Sequence, residues 1–268
     1  MTYTLITGAS GGIGYALARQ LAAKKHDLIL VARNAEKLAQ LSHQLQADYG
    51  VQVVFIAADL AQPEAAQHLY HETQQHHWQV DLLVNNAGIG SGGEFMSLAL
   101  PSELALLQLN TASLVALTHL FLHPMRERRS GTIINIASMT AFMPVPYMAT
   151  YAASKVFVRS FTEALAQECK PYGIDILLFA PGLTRTNFNE AAGLTPDKAA
   201  GLNSDYKPGT SQTPEEVAEE LVHALQAKKP FHISGRRNRL GARLLALLPN
   251  SFIARYMARS YQQQLTPQ

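Results

Sequence analysis

Residues 138–155, SMTAFMPVPYMATYAASK, bring a serine, two tyrosines and a lysine into one short segment. Residues four apart on a helix share a face. Tyr151 has Lys155 at that spacing, whereas Tyr147 has only Tyr151 there. A free phenol, with a pKa of about 10, is a poor acid or base at neutral pH. An ammonium about 5 Å away, at an effective dielectric of ~20, would favour the phenolate by roughly 3 kcal/mol, on the order of 2 pKa units. The expectation is that Tyr151 is the acid–base group and that Lys155 lowers its pKa.

A second set of residues suits phosphate. TGASGGIG follows a strand-like run and opens a helical one, so Gly8, Ser10, Gly12 and Gly14 would let a pyrophosphate approach the backbone while Ile13 offers it an amide at the helix start. The spacing differs from the common GxGxxG. Folds that take NAD usually carry an acid at the end of the second strand. That end reads VARN, and Asp27 lies at the other end of the strand, roughly 13 Å away at ~3.3 Å per residue. The forked guanidinium of Arg33, followed by Asn34, suits a 2′-phosphate. NADP(H) is therefore the expected cofactor, preferred over NAD(H).

These residues need a frame. Apolar runs (YTLI, DLILVA, VQVVFIA, VDLLVNN, GTIINIA, GIDILLFAPG) alternate with helical patterns over 12–24, 35–49, 63–77, 102–126 and 149–170. Strands apolar on both faces and separated by helices predict an α/β fold: one Rossmann-type, doubly wound parallel sheet with helices on both faces, spanning residues 1–234. Ligands of such sheets bind beyond the carboxyl ends of the strands. The unusual residues gather there: Gly8–Gly14, Arg33, Asp59 with Leu60, Asn85–Gly88, Ser138, and Pro181 with Gly182.

TGASGGIG, the NNAG at 85–88, Asn110, Ser138, YAASK at 151–155 and the PG at 181 together resemble, in order and spacing, the short-chain dehydrogenase/reductase family over residues 1 to about 185. The resemblance implies hydride transfer between a nicotinamide and a carbonyl or alcohol carbon, with a catalytic tetrad of Asn110, Ser138, Tyr151 and Lys155. Tyr151 would supply the proton to the nascent alkoxide and Ser138 a second hydrogen bond. Lys155 would hold the nicotinamide ribose, and Asn110 would anchor a water leading from Lys155 to solvent. By position, Asp59 would face the adenine, and Asn86, Ala87 and Gly88 would line the cofactor. In PGLTRT (181–186) either Thr184 or Thr186 would meet the nicotinamide carboxamide.

The irregular stretch 186–213 is expected to be a substrate lid containing Phe188 and Leu194, opposite an apolar wall of Met139, Phe142, Met143, Val145 and Tyr147. A hydrophobic ketone or 3-oxoacyl substrate suits such a wall. Residues 235–268 form an expected C-terminal helical extension. It carries six arginines and no acid, leaving −4 on the rest of a chain of net charge +2. Leu240, Leu244, Leu247 and Leu248 recur there at helical spacing, which suits either a helix packed on the body or a partner subunit, or a basic surface touching anionic lipid. Similar tails occur in the family branch resembling hydroxysteroid and long-chain 3-oxoacyl reductases.

Other signals point away from other functions. No run approaches 18 consecutive apolar residues, and the single Cys169 cannot form an internal disulfide. With a start that reads directly as a strand, the expectation is a soluble cytoplasmic protein. His119 and His123 have ligand spacing without an acidic partner, so no metal site is expected. The tail lacks regularly interleaved stacking aromatics, so nucleic acid is not an expected partner. By resemblance, helices 102–126 and 149–170 would build a homodimer or homotetramer. The alternative function is a non-catalytic NADP(H)-sensing or interaction protein; an intact tetrad and glycine turn weigh against it.

Overall fold

Seven strands, β1 (Thr2–Thr7), β2 (Asp27–Ala32), β3 (Val53–Ala57), β4 (Gln79–Asn85), β5 (Gly131–Ile136), β6 (Ile174–Ala180) and β7 (Phe231–Ile233), form one sheet. Their order is β3-β2-β1-β4-β5-β6-β7 and all neighbours are parallel. The computed structural model describes residues 1–186, 188 and 211–265. Alternate residues of one strand serve opposite cores, as the pleat requires: Ile6, Leu28 and Leu30 enter one, Leu5, Ile29 and Val31 the other. The expected fold class holds. Among the strands only β7 escaped the sequence reading, because three residues carry no legible period.

Helices α1 (Gly12–Ala23), α2 (Ala35–Tyr49) and α7 (Pro214–Gln226) cover the first face; α3 (Ala65–Gln75), α5 (Leu114–Arg128) and α6 (Ala149–Cys169) cover the second. The helix expected over 102–126 is α4 (Leu100–Leu107), a π turn (Gln108–Ser113) and α5 in succession. Thr111 Oγ1 donates to the Leu107 carbonyl at 2.5 Å, competing for a helical acceptor, and Asn110 turns inward. By length and mean apolarity, though not as an unbroken apolar run, Leu100–Arg128 could cross a bilayer. Here its residues Leu106, Leu114, Leu117, Phe121 and Met125 are buried within the fold.

The sheet interior is not wholly apolar. Asn85 and Asn135 are paired in register on β4 and β5. Asn85 Nδ2 donates to Asn135 Oδ1 at 2.9 Å and to Thr118 Oγ1 of α5 at 3.0 Å, and Asn135 Nδ2 donates to Thr162 Oγ1 of α6 at 3.0 Å. Buried polar groups are costly unless bonded, so this ladder fixes where α5 and α6 lie along the sheet.

The extension forms two helices, α8 (Arg236–Leu245) and α9 (Asn250–Leu265). Glu220 of α7 anchors α8. Its carboxylate accepts from Arg239 Nη1 at 2.9 Å and from the Gly235 amide at 2.9 and 3.1 Å, and it lies 2.9 Å from His232 Nε2. Burial alone would raise the Glu220 pKa, but the bonds from His232, Arg239 and Gly235 outweigh it and hold the pKa below the ordinary value. A lowered acid pKa contributes stability above the unfolded value that is lost as pH falls through the folded one. Glu220→Gln is expected to cost about 2 kcal/mol, roughly 5 °C in Tm. Thermal melts of both proteins should converge as pH is lowered below about 4.5.

Candidate active site

The turn after β1 places Gly8 at φ +68°, a left-handed conformation that glycine adopts freely. A Cβ on Gly14 would collide with the Gly8 carbonyl oxygen and with Asn86 Nδ2. Thr7 Oγ1 accepts the amides of Asn86 and Ala87, both at 2.9 Å, and donates to the Val84 carbonyl. The Asn86 side chain donates back to the Thr7 carbonyl at 2.8 Å. The side chain of Asn86, a residue expected to line the cofactor, ties the two central strand ends together, a task for which Thr7 gave no separate sequence signal. No side chain caps α1, whose N-cap is Gly11, so its leading amides, including that of Ile13, are the orphan donors of a helix start. With Ser10 in the turn, these donors and a bare glycine surface fit the anionic backbone of a dinucleotide.

At the end of β2, Arg33 is exposed and makes no hydrogen bond or ion pair with the described residues. Asn34 is committed locally: its side chain accepts from Lys37 N at 2.8 Å and caps α2. Asp59, beyond β3, accepts from Ala61 N at 3.1 Å and from Gln62 Nε2 at 3.3 Å, while Leu60 is buried in the core. Asp27 does sit at the far end of its strand, accepting from Gln52 N.

The four residues of the expected tetrad converge. Tyr151 and Lys155, one turn apart on α6, are 7% and 5% exposed, and Asn110 in the π turn is 1% exposed. Lys155 Nζ donates to the Ile136 carbonyl, the last residue of β5, at 3.0 Å and lies 5.9 Å from the Tyr151 ring centroid. Ser138 ends its strand connection as the cap of a short 3-10 turn, accepting from Thr140 N at 3.2 Å, and its side chain hydrogen-bonds Tyr151. Asn110 Oδ1 accepts from Ile89 N at 3.0 Å; its Nδ2 donates to the Ile89 carbonyl at 2.9 Å and to Ser154 Oγ at 3.1 Å. Ser154, which the sequence reading passed over, in turn donates to the Tyr151 carbonyl at 2.7 Å. The side chain of Asn110 thus pins the Ile89 loop to α6. A Cβ at Gly88 would lie 3.1 Å from Asn110 Oδ1 and 3.5 Å from Lys155 Nζ, so the missing side chain keeps these two groups adjacent.

The electrostatics correct the expected sign at the tyrosine. Burial pushes Tyr151 up to about 12, against the lowering effect of the Ser138 hydrogen bond, and pushes Lys155 down to about 8. Desolvation penalises each charged form, and it exceeds what an ammonium 5.9 Å from the ring centroid supplies. At neutral pH Tyr151 is thus a neutral phenol and Lys155 a cation. Tyr147 is in a turn, with φ +63°, and its carbonyl accepts from Gly93 N at 2.8 Å.

The segment after β6 closes the site. The Pro181 carbonyl accepts from Met139 N at 2.9 Å, next to Ser138. Gly182 leaves room for the Asn238 side chain of α8, which a Cβ there would overlap. Thr184 Oγ1 donates to the Gly182 carbonyl at 3.0 Å, whereas Thr186 Oγ1 accepts from Phe188 N at 3.3 Å. The Thr186 methyl lies 3.2 Å from where a Gly12 Cβ would be. Most of the expected lid, including Leu194, lies outside the described residues. The apolar wall divides: Val145 and Met143 share a cluster with Tyr151, Met148 and Leu106, together with Phe188 and with Met257 of α9. Met139 and Phe142 instead join a separate cluster, Phe142 lying under the Arg159 guanidinium and against Phe231. Met257 gave no sequence signal, because its place depends on how the extension folds back.

His119 and His123 pair with each other at 3.4 Å, and no group of three or more metal-ligating side chains occurs among the described residues. Gly14→Ala is expected to lose about 2 kcal/mol of stability by overpacking and to weaken nucleotide binding at least tenfold. Gly11→Ala, whose Cβ meets nothing within 4 Å, should cost less, about 0.5–1 kcal/mol for the loss of a glycine N-cap, as read by thermal melts.

Comparison with known proteins agrees with this arrangement. The sequence pattern of the family described as short chain dehydrogenase matches residues 2–196. A relative, "Dehydrogenase/reductase SDR family member 7B" of Bos taurus, is 31% identical over 266 residues, covering 97% of this chain and 82% of its own. "Very-long-chain 3-oxoacyl-CoA reductase" of Pyrenophora tritici-repentis is 34% identical over 177 residues, covering 65% of this chain and 52% of its own. A solved "Short-chain dehydrogenase from Sphingobium yanoikuyae in complex with NADPH" superposes with a TM-score of 0.82 at 28% identity, covering 100% of this chain and 97% of that one. The buried Tyr151–Lys155 pair, the glycine turn and these matches together establish the chain as a member of the short-chain dehydrogenase/reductase family of nicotinamide-dependent oxidoreductases.

Proposed function

We propose that the protein is an NADP(H)-dependent reductase of a hydrophobic ketone or 3-oxoacyl-type substrate. The observation that carries this reading is the buried cluster in which Tyr151 is protonated, hydrogen-bonded by Ser138 and one helical turn from a charged Lys155. Bound nicotinamide would supply or accept the hydride. The chain's own residues do the rest. Gly8, Gly12 and Gly14, with the α1 amides, hold the pyrophosphate, and Arg33 takes the 2′-phosphate that distinguishes NADP from NAD. Asp59 and Leu60 flank the adenine side, and Ala87, Gly88 and the Pro181–Thr186 segment line the nicotinamide half. Tyr151 gives its phenolic proton to the carbonyl oxygen as negative charge develops there, and Ser138 donates or shares a second hydrogen bond. Lys155 stabilises the phenolate left behind; Asn110 and Ser154 position α6.

Leu106, Met143, Val145, Phe188 and Met257 around Tyr151 support an apolar substrate, as do the 3-oxoacyl-CoA relative and the NADPH of the solved neighbour. Leu104 and Leu107 of α4 and Val156 and Phe157 of α6 are exposed. An open hollow of about 450 Å³, lined by Thr111, Val115, His119 and Phe157 among others, lies along α5 and α6. This apolar face supports a homodimer or homotetramer. The one cysteine, Cys169, is buried and free, which suits the reducing cytoplasm.

Fluorescence titration with NADPH and NADH tests the cofactor. Arg33→Ala should weaken NADPH by about 10- to 100-fold, the equivalent of a charged hydrogen bond of about 1.5–3 kcal/mol, and leave NADH unchanged. Oxidation of NADPH against hydrophobic ketones and 3-oxoacyl thioesters tests turnover. Tyr151→Phe should lower kcat/KM on the order of 10²- to 10⁴-fold while retaining NADPH binding. Nucleotide binding without turnover across the panel would favour the sensor reading instead. In the pH profile, ketone reduction should fall as pH rises through about 8, where Lys155 loses its charge.

A further inference from the structure

The two C-terminal helices are oriented unusually for helices resting on a soluble body. On α8 the side turned inward is polar or small: Arg239 bonds Glu220 and the Ile233 carbonyl at 2.9 and 2.8 Å, Asn238 bonds the Ser234 carbonyl at 2.7 Å, and Ala242 is buried. The leucines face the other way. Leu240, Leu244 and Leu247 are 59%, 56% and 80% exposed, and Leu248 continues the stripe. On α8 Leu240 and Leu244, one turn apart, share a face that also carries Arg237 and is bordered on one side by Arg236 and Arg243, and Leu247 and Leu248 extend the exposed apolar surface in the turn that follows Leu245. On α9, Ile253 and Met257 turn inward, while Phe252 and Tyr256 are exposed beside Arg255 and Arg259. Arg236, Arg243, Arg255 and Arg259 are all exposed and have no ion-pair partner among the described residues, and no acidic residue occurs from Gly235 to the end of the chain.

An apolar stripe edged by arginines and aromatics, held outward by a polar anchor, is complementary to the headgroup and acyl boundary of a negatively charged bilayer. A partner subunit would need acids opposite these arginines, and a second copy of the same extension would bring only more arginines. We propose that α8 and α9 form a docking surface for anionic lipid, with Leu240, Leu244, Leu247 and Phe252 entering the interface and the arginines contacting headgroups. Met257, on the inward side of α9, belongs to the cluster around Tyr151. The helix that touches the bilayer therefore also borders the site, close to where an apolar substrate would leave the lipid. The docking surface itself stands apart from the substrate and cofactor reading and can be tested without turnover.

The test is co-sedimentation of the full chain with large unilamellar vesicles of phosphatidylcholine alone and of phosphatidylcholine with 30 mol% phosphatidylglycerol, at low salt and at 0.5 M NaCl. Binding to the anionic vesicles at least tenfold tighter than to the neutral ones, weakened by salt, is expected. Leu244→Asp/Leu247→Asp should lose at least tenfold of that binding with an unchanged Tm and NADPH titration, and Arg243→Gln/Arg255→Gln should lose part of it. No preference for anionic vesicles, or equal binding by the aspartate variant, would overturn the proposal. A change of oligomeric state in that variant by light scattering, without a change in vesicle binding, would assign the face to subunit contact and overturn it equally.

Discussion

A lysine ammonium buried to 5% exposure beside a phenol at 7% is a demanding arrangement, and the architecture around the site is organised to permit it. Desolvation works against both charged forms, raising the phenol to about 12 and lowering the ammonium to about 8. Neutral pH lies below both values, so both groups carry their protons there. The ammonium tolerates its position because the Ile136 carbonyl accepts from it at the end of β5. That carbonyl is available only if α6 lies directly over β5. The bond from Asn135 to Thr162 sets this placement from below, and the bonds from Asn110 to Ser154 and from Ser154 to the Tyr151 carbonyl set it from above.

The same economy of polar contacts operates at the switch point between β1 and β4, the neighbours from which the two halves of the sheet depart. Thr7 and Asn86 close a small ring of hydrogen bonds there, and Gly8 and Gly14 permit the close approach that makes the ring possible. The glycine turn is thus shaped as much by the neighbouring strand as by its ligand. The π turn at Gln108–Ser113 is a local irregularity of the same kind: it departs from ideal helical geometry where Asn110 must face the Ile89 loop.

The extension is coupled to this centre. Glu220 gathers Arg239, His232 and Gly235, Asn238 occupies the space that Gly182 leaves, and Gln212 pairs with Thr184. Thr184 and Gly182 belong to the segment that follows β6, whose Pro181 carbonyl accepts from Met139 N beside Ser138. A basic tail that looks appended in the sequence therefore supports the wall of the active site on one side and presents leucines to the surroundings on the other.

The family, the fold class and the placing of Tyr151 and Lys155 one turn apart on one helix were legible in the sequence. All of these depend on short-range spacing: hydrophobic period, glycine turns, and residues one helical turn apart. The sign of the Tyr151 shift was not legible, because the local Tyr–Lys spacing reveals the neighbouring charge but not the desolvation imposed by distant elements. Nor were the separate directions of Met143 and Phe142, the contribution of Met257 or the outward leucines of α8. These depend on which surfaces meet after the sheet has closed and α7 has supplied Glu220. Tertiary structure decided them, because burial and facing are properties of contacts between segments far apart in the chain.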